Sequence, residues 1–472
     1  MAFSTSVSVT IDIGSPSAER KEGESVLSKS EEKISTRSYH PESPNTPKLE
    51  DLESSLVVTD TNGEYSIVHW VDCTDESPDT VKSCRGIIRR GDEIVCRTFN
   101  YTPEFIGASD AALSALKAVW DNLKIVYPAF EGTSVRLWHD QGEWHLSTFR
   151  KLDAYCSRWG CKTSYGDLFM RGLVEIMKKS GSEMVKNETR KQEWTNILEA
   201  VKIAGEEDFY DQCFQFYCSA LRKDRIYTFL IHSVLESRIV SRATDNIPRL
   251  SFTGEFDNHP KSHARFALLD ENTSHIGWPE TSQVDSQFPN FPEDALGFAM
   301  NSDPYVCQGL MIHYRVGTSS FGSIKLTSSQ YQALADLRGN EPSVVFRYLQ
   351  LRSEMNSPGE SESGSVESRK QRFEAFRNLY PERKAEFDEC ESMLTRAINT
   401  IYQGYVKRYL KREYAHLPQE LWYVARNLHD AYLQNPQLNK ISLELVRNHV
   451  NQLPAVRQNF IIRQAKLRNE HV

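Results

Sequence analysis

Cations interleaved with aromatics recur at two places in this chain, and that combination suits the recognition of phosphate groups. Arg150, Lys151 and Arg158 stand beside Tyr155 and Trp159, rings that can stack on a base. Lys407, Arg408, Lys411 and Arg412 surround Tyr409 and Leu410. A basic helical face carrying aromatics can track a phosphate backbone, because each neutralised phosphate releases counterions. The plain alternative is a solvated face on a helical bundle, and a formal net charge of -8 argues against indiscriminate nucleic-acid binding. Arg85, Lys325 and the pair Glu131-Gly132 are further positions with chemical potential. Taken singly, the two cations are solvated surface charges and Glu131-Gly132 is a turn. His259, His263 and His275 suggest a metal, but they lie among Asn, Pro, Ser and Gly residues, so solvated loop histidines are expected. Nine cysteines run from Cys73 to Cys390 without a Cys-x-x-Cys pair, which argues against a disulfide framework or structural zinc and for reduced thiols.

The elements that must position these residues are legible in part. Glu93 to Phe99 reads as a strand, and Val135 to Trp138 with Trp144 to Thr148 reads as a hairpin around Asp140-Gln141-Gly142. Helical periodicity marks Ala108 to Leu123, Ser164 to Lys179 and Thr189 to Ile203. Farther on, Phe387, Met393, Leu394, Ile398, Ile401, Tyr402, Tyr405, Tyr409 and Leu410 trace one long helical face. Pro418 marks the first turn of a helix carrying Leu421, Val424, Ala425, Leu428 and Tyr432, while Ser442 and Pro454 start two shorter ones.

Five ordered segments carry a resemblance. Cys84-Arg85-Gly86-Ile87-Ile88 precedes Tyr127-Pro128-Ala129-Phe130-Glu131-Gly132; then come Tyr227 to Val240, Cys307-Gln308-Gly309 and Ile324-Lys325-Leu326-Thr327. In this order they resemble the ATP-dependent RNA ligases of the bacteriophage RNA-repair type, over about Leu56 to Arg352. They look closest to ligase-like proteins of large double-stranded DNA viruses. In such ligases the lysine of a Lys-x-Asp-Gly loop attacks the ATP α-phosphate and holds AMP as a phosphoramidate. Here Ala129 stands at the nucleophile position and Glu131 at the aspartate, with Gly132 kept. Ile231 stands at the ribose-binding glutamate, Gln308 at the metal-binding glutamate and Thr327 at one of two phosphate-binding lysines. Alanine cannot carry AMP, and a neutral amide is a poor ligand for a divalent cation. The resemblance thus leaves no catalytic residue intact, and Arg85, Glu131, Gly132 and Lys325 as a vestigial nucleotide pocket. Ile231 is also simply what a buried strand prefers.

The mixture of strand-like and helical segments fits an α+β domain, and the resemblance implies a nucleotidyltransferase domain of antiparallel sheets with flanking helices; the helical periodicity beyond it makes the C-terminal region an all-helical module. Residues 1–55, rich in Ser, Glu, Lys, Pro and Thr, read as a disordered tail, with Ser15-Pro16, Ser43-Pro44 and Thr46-Pro47 as phosphorylation candidates. The ligase-like domain is expected over 56–352, a polar linker over 353–368 and the helical domain over 369–472. That last part carries 18 Lys and Arg against 11 Asp and Glu, so the rest of the chain holds about -15 of the net charge. A hydrophobic content of 39% supports real cores, and no run approaches the roughly 20 apolar residues of a membrane span. With no signal-peptide pattern at Met1 to Gly14, the chain reads as intracellular, in host cytoplasm or a virion, and not secreted. The expectation is a ligase-like protein without adenylylation, serving as a nucleic-acid-binding or virion-associated structural module. Its partners would be RNA or DNA and other viral proteins, not a membrane, and no metal or cofactor is expected. The alternative is an active RNA ligase using ATP and Mg with a displaced nucleophile, for which Lys124 is the nearest upstream lysine. Five residues along a strand, about 16 Å, separate it from Ala129.

Overall fold

The computed structural model describes residues 55–184, 206–243, 245–257, 266–267, 288–316, 320–358, 365–437 and 440–469, with a few positions between 192 and 199. Residues 1–54 of the tail expected over 1–55, its phosphorylation candidates and the three loop histidines lie outside the described residues, as does most of the helix expected over 189–203.

Thirteen strands form three sheets among the described residues. The first is the meander β1 (Leu56–Asn62), β2 (Tyr65–Trp70), β3 (Ile87–Arg90) and β4 (Glu93–Cys96). The second runs β11 (Phe266–Ala267), β10 (Leu250–Asp257), β9 (Arg225–His232), β7 (Gly132–Asp140) and β8 (Glu143–Thr148). The third runs β5 (Glu104–Ile106), β13 (Ser320–Thr327), β12 (Gly309–Val316) and β6 (Leu123–Ala129). All pairings are antiparallel except β5 with β13. The hairpin turns at Gln141 (φ 48°) and Gly142 (φ 91°), two left-handed positions that let a two-residue turn follow the strand twist.

Strand alternation separates the cores. Ile125, Tyr127, Trp138, Ile226 and Phe256 pack with Ile67, Ile88 and Cys96 between the sheets. The opposite face of the third sheet, through Val126, Leu310, Ile312, Ile324 and Leu326, is covered by α2 (Asp110–Val119) and α5 (Glu293–Asn301), both later in the chain than the short α1 (Asp79–Lys82). The outer face of the second sheet, through Val135, Leu137, Phe229 and Ile231, is covered by α3 (Tyr165–Met184) and α4 (Glu206–Ser219). Helix α2 is shorter than its periodicity suggests, because Trp120–Asn122 tighten into a 3₁₀ turn and the chain enters β6 at Leu123. Ser109 caps its start by accepting from the Ala112 amide.

The C-terminal part is helical, as expected. It comprises α6 (Ser329–Arg338), α7 (Val344–Asn356), α8 (Val366–Leu379), α9 (Lys384–Tyr405), α10 (Gln419–Gln434), α11 (Leu443–Gln452) and α12 (Ala455–Asn469). Its core joins Tyr348, Leu349, Phe376, Phe387, Leu394, Ile401, Val424, Leu428, Val446 and Ile461. Tyr331 of α6 and Val240 belong to the same core, so it begins ahead of the segment 353–368. Within that segment residues 353–356 continue α7, and 359–364 lie outside the described residues. Ser442 accepts from the Leu445 amide as the cap of α11.

Candidate functional site

The expected loop lies where the chain leaves the third sheet for the second. Ala129 ends β6 and pairs with Gly309 of β12, its carbonyl accepting from the Gln308 amide at 2.7 Å. Gly309 in turn pairs with Thr327 of β13, so the positions expected for the nucleophile and for one phosphate-binding lysine flank Gly309, and Gln308 stands just before it. Alternation puts Ala129 on the face of Ile125 and Tyr127, and puts Lys325 and Thr327 on the face opposite Ile324 and Leu326. Ala129, Lys325 and Thr327 therefore share the inter-sheet face. The Arg85 guanidinium donates to the Asn100 carbonyl at 3.3 Å and Thr102 Oγ1 at 3.5 Å, in the segment that leads to Pro103, whose carbonyl takes the Lys325 amide at 2.9 Å.

The polar groups on this face are matched by protein. Lys325 Nζ donates to Glu104 Oε1 at 2.9 Å, and the fully buried Thr327 hydroxyl donates to the same oxygen at 2.5 Å. Burial pushes the Glu104 carboxyl up, but the Lys325 ammonium and these two hydrogen bonds outweigh it and hold the carboxyl below its ordinary value. Lys325 is thus no solvated surface charge. Glu104 had no signal in the sequence, since only the parallel pairing of β5 with β13 brings it there.

Glu131 is 3% exposed and receives four donors. Oε1 accepts from the Ile239 amide at 2.6 Å; Oε2 accepts from the Val240 and Ser241 amides at 2.8 and 2.9 Å and from the Tyr331 hydroxyl at 3.0 Å. Burial first, and the Glu131 charge second, raise the Tyr331 pKa far above that of an ordinary phenol. Gly132 is required by the close approach of β7 and β9: a Cβ there would lie 2.3 Å from the Ile231 carbonyl oxygen. The strap that Glu131 holds continues into the helical core. Arg238, 4% exposed, forms a two-toothed pair with Glu382 at 2.8 and 3.0 Å and donates to the Leu379 carbonyl, while the Tyr380 hydroxyl donates to Ile239 O at 2.5 Å.

Ile231 departs from this grouping. It is 2% exposed and its side chain packs in the core under α3 and α4, on the outer face of the second sheet. A carboxylate there would enter an apolar layer. Arg136 of β7 is fully buried and donates to the Gly86 and Thr148 carbonyls. Its guanidinium and that of Arg85 each lie 4.8 Å from the Phe149 ring centre. Burial lowers both arginine pKa values, and for Arg85 the neighbouring Arg136 charge adds to it.

The residues do not fit a nucleotide-bound divalent cation. The carboxylates at hand are Glu104 and Glu131, and an ion would have to displace the donors already on them. Among the described residues no group of three or more His, Cys, Asp and Glu is placed to hold a metal. None of the nine cysteines forms a disulfide. Lys124 belongs to β6, five residues before Ala129, and its side chain lies outside the described residues.

The two basic clusters differ in their surroundings. Arg150, Lys151 and Arg158 are exposed, with Lys151 Nζ 3.3 Å from Asp60. Trp159 is half-buried with the Arg338 guanidinium 5.2 Å from its ring centre, and Tyr155 is 49% exposed with its ring against Gly166. Lys407, Arg408, Lys411 and Arg412 are all exposed at the end of α9.

No family model matches the chain. It is 27% identical over 350 residues to an immediate-early protein ICP-46 homolog of Invertebrate iridescent virus 6, covering 72% of this chain and 66% of that protein. It is 24% identical over 287 residues to immediate-early protein ICP-46 of Frog virus 3 (isolate Goorha), covering 59% and 60%. The chain thus spans between half and two thirds of the lengths of the curated relatives it matches. Among solved structures it is similar to an archaeal ATP-dependent RNA ligase in two forms. The first is 12% identical with a TM-score of 0.34, covering 71% of this chain and 77% of that one. The second is 11% identical with a TM-score of 0.29, covering 72% and 70%. The structural neighbours are ligases, and the sequence relatives are proteins of iridescent and frog viruses. No described helix is long and apolar enough to cross a membrane.

Proposed function

We propose that this chain is an RNA-ligase-like viral protein that forms no covalent nucleotide intermediate and acts by binding nucleic acid. The observation that carries this reading is the internal pairing at the ligase-motif positions. Ala129 offers no nucleophile, Lys325 and Thr327 share Glu104, and Glu131 is held by three amides and Tyr331. Polar groups arranged in this way stabilise the junction of the sheets with the helical core, and a phosphate or metal would have to break those bonds to enter. The expected limits 56–352 and 369–472 shift in this reading: α6 and α7 pack in the helical core, so the helical part is taken from Ser329 onward.

The test uses the full chain with ATP labelled at the α-phosphate, and separately GTP, with Mg or Mn. No label should survive denaturation. A covalent band abolished by Lys124→Ala would instead establish the displaced-nucleophile ligase. In parallel, labelled RNA and DNA oligonucleotides should be retained by the protein on a filter at low salt; retention of neither would sink the binding half of the proposal.

A further inference from the structure

Where α9 ends, the backbone departs from regular helix twice. Val406–Leu410 forms a π-helical turn, a widening often found at functional positions, and Arg412 takes the left-handed conformation at φ 60°. Together they project Lys407, Arg408, Lys411 and Arg412 into solvent, and none of the four is ion-paired among the described residues. Glu413 is the only carboxylate within residues 405–418.

Aromatic rings border these cations. Tyr414 is 87% exposed, and Leu410 66%. Trp422 of α10 is half-buried, with the Arg408 and Arg426 guanidinium groups 5.9 and 5.3 Å from its ring centre. Tyr423 lies beside it at 5.6 Å between ring centres and is 37% exposed. Tyr409, by contrast, stacks on His429 at 3.8 Å and belongs to the scaffold. A tyrosine as open as Tyr414 contributes little packing, so its ring is available to a partner.

We propose that this rim binds single-stranded nucleic acid, its four cations meeting successive phosphates while Tyr414 and the Trp422–Tyr423 pair stack on bases. The proposal rests on the nucleic-acid half of the function above and assigns it to one surface. Single strands fit because their base faces are open, whereas a duplex has already stacked them. An acidic protein or anionic membrane would answer the cations but gives the exposed rings no flat partner.

The test measures fluorescence anisotropy of a labelled single-stranded RNA, and of its DNA equivalent, with the full chain across a salt series. Four neutralised phosphates predict that log affinity falls against log salt with a slope of about -3. The variant Lys407→Glu/Arg408→Glu/Lys411→Glu/Arg412→Glu should lose binding by tenfold or more and flatten that slope. Tyr414→Ala should weaken binding about tenfold with the slope unchanged. Urea unfolding midpoints equal to the parent's establish that both variants are folded. A parent that binds while both variants bind equally well overturns the rim and leaves the broader reading standing. A parent that binds no nucleic acid overturns both. Equal affinity for duplex, an unaffected Tyr414→Ala, or the same charge dependence on anionic vesicles at comparable affinity would overturn the single-strand assignment.

Discussion

The β6–β7 junction and the rim at the end of α9 treat their polar residues in opposite ways. At the junction, Glu131 sits 3% exposed under three backbone amides and a tyrosine hydroxyl, and Lys325 and Thr327 both close on Glu104. At the rim, four cations and Tyr414 face water, with no ion pair among the described residues. A buried polar group must find its partners inside the protein, because leaving it unmatched costs more than the bond contributes. An exposed one is matched by water and can exchange that water for a ligand. The contrast puts fold-holding chemistry at the β6–β7 junction and ligand-facing chemistry in the helical part.

The largest expected effect that would break this comparison is on stability at the junction. Glu131→Ala leaves three amides and a hydroxyl without their acceptor and should cost about 4 kcal/mol, read as a lower urea midpoint. A loss under about 1 kcal/mol would show that the carboxylate does not hold the strap at 239–241. Next comes an acid dependence from the inter-sheet core. His313 Nε2 shares a hydrogen bond with the Tyr127 hydroxyl at 2.8 Å and Nδ1 one with Ser323 Oγ at 2.7 Å, and burial lowers its pKa to about 3. Between that value and about 6.5 the unfolded chain binds a proton that the folded chain does not. This contribution is complete above about pH 6.5 and is lost as the pH falls, at up to about 1.4 kcal/mol per unit. His313→Asn should lower the slope of stability against pH by about one proton; an unchanged slope would mean that another group controls the acid limb. Tyr331→Phe removes one of the four donors to Glu131 and should cost about 1 kcal/mol. Smallest of all, the four-residue charge reversal at the rim should move stability by only about 0.5 kcal/mol, as exposed sites do. A large loss there would make the rim structural and dissolve the contrast.

Features set by neighbouring residues were legible in the sequence. The hairpin from β7 to β8 follows from alternation around Gln141-Gly142, Ile231 reads as a buried strand residue, and Ser442 and Pro418 mark helix starts that the structure contains. What stayed hidden depends on distant pairing. The partners of Glu131 lie 108 to 110 and 200 residues away, so Glu131-Gly132 read locally is only a turn. Glu104 reaches Lys325 across 221 residues through a parallel strand contact that no local pattern announces. Ile231 shows the same limit in reverse: the motif places it with Ala129, yet its side chain packs on the other side of the second sheet. Helix α2 ends early because Leu123, apolar and in phase, was claimed by a strand.

The account's central claim is that the ligase-motif positions hold the fold and do not transfer nucleotide. Intact-mass measurement of the full chain, before and after incubation with ATP and Mg, tests it most directly. The account predicts the unmodified mass in both samples; a fraction heavier by one AMP, sensitive to acid as a phosphoramidate is, would contradict it.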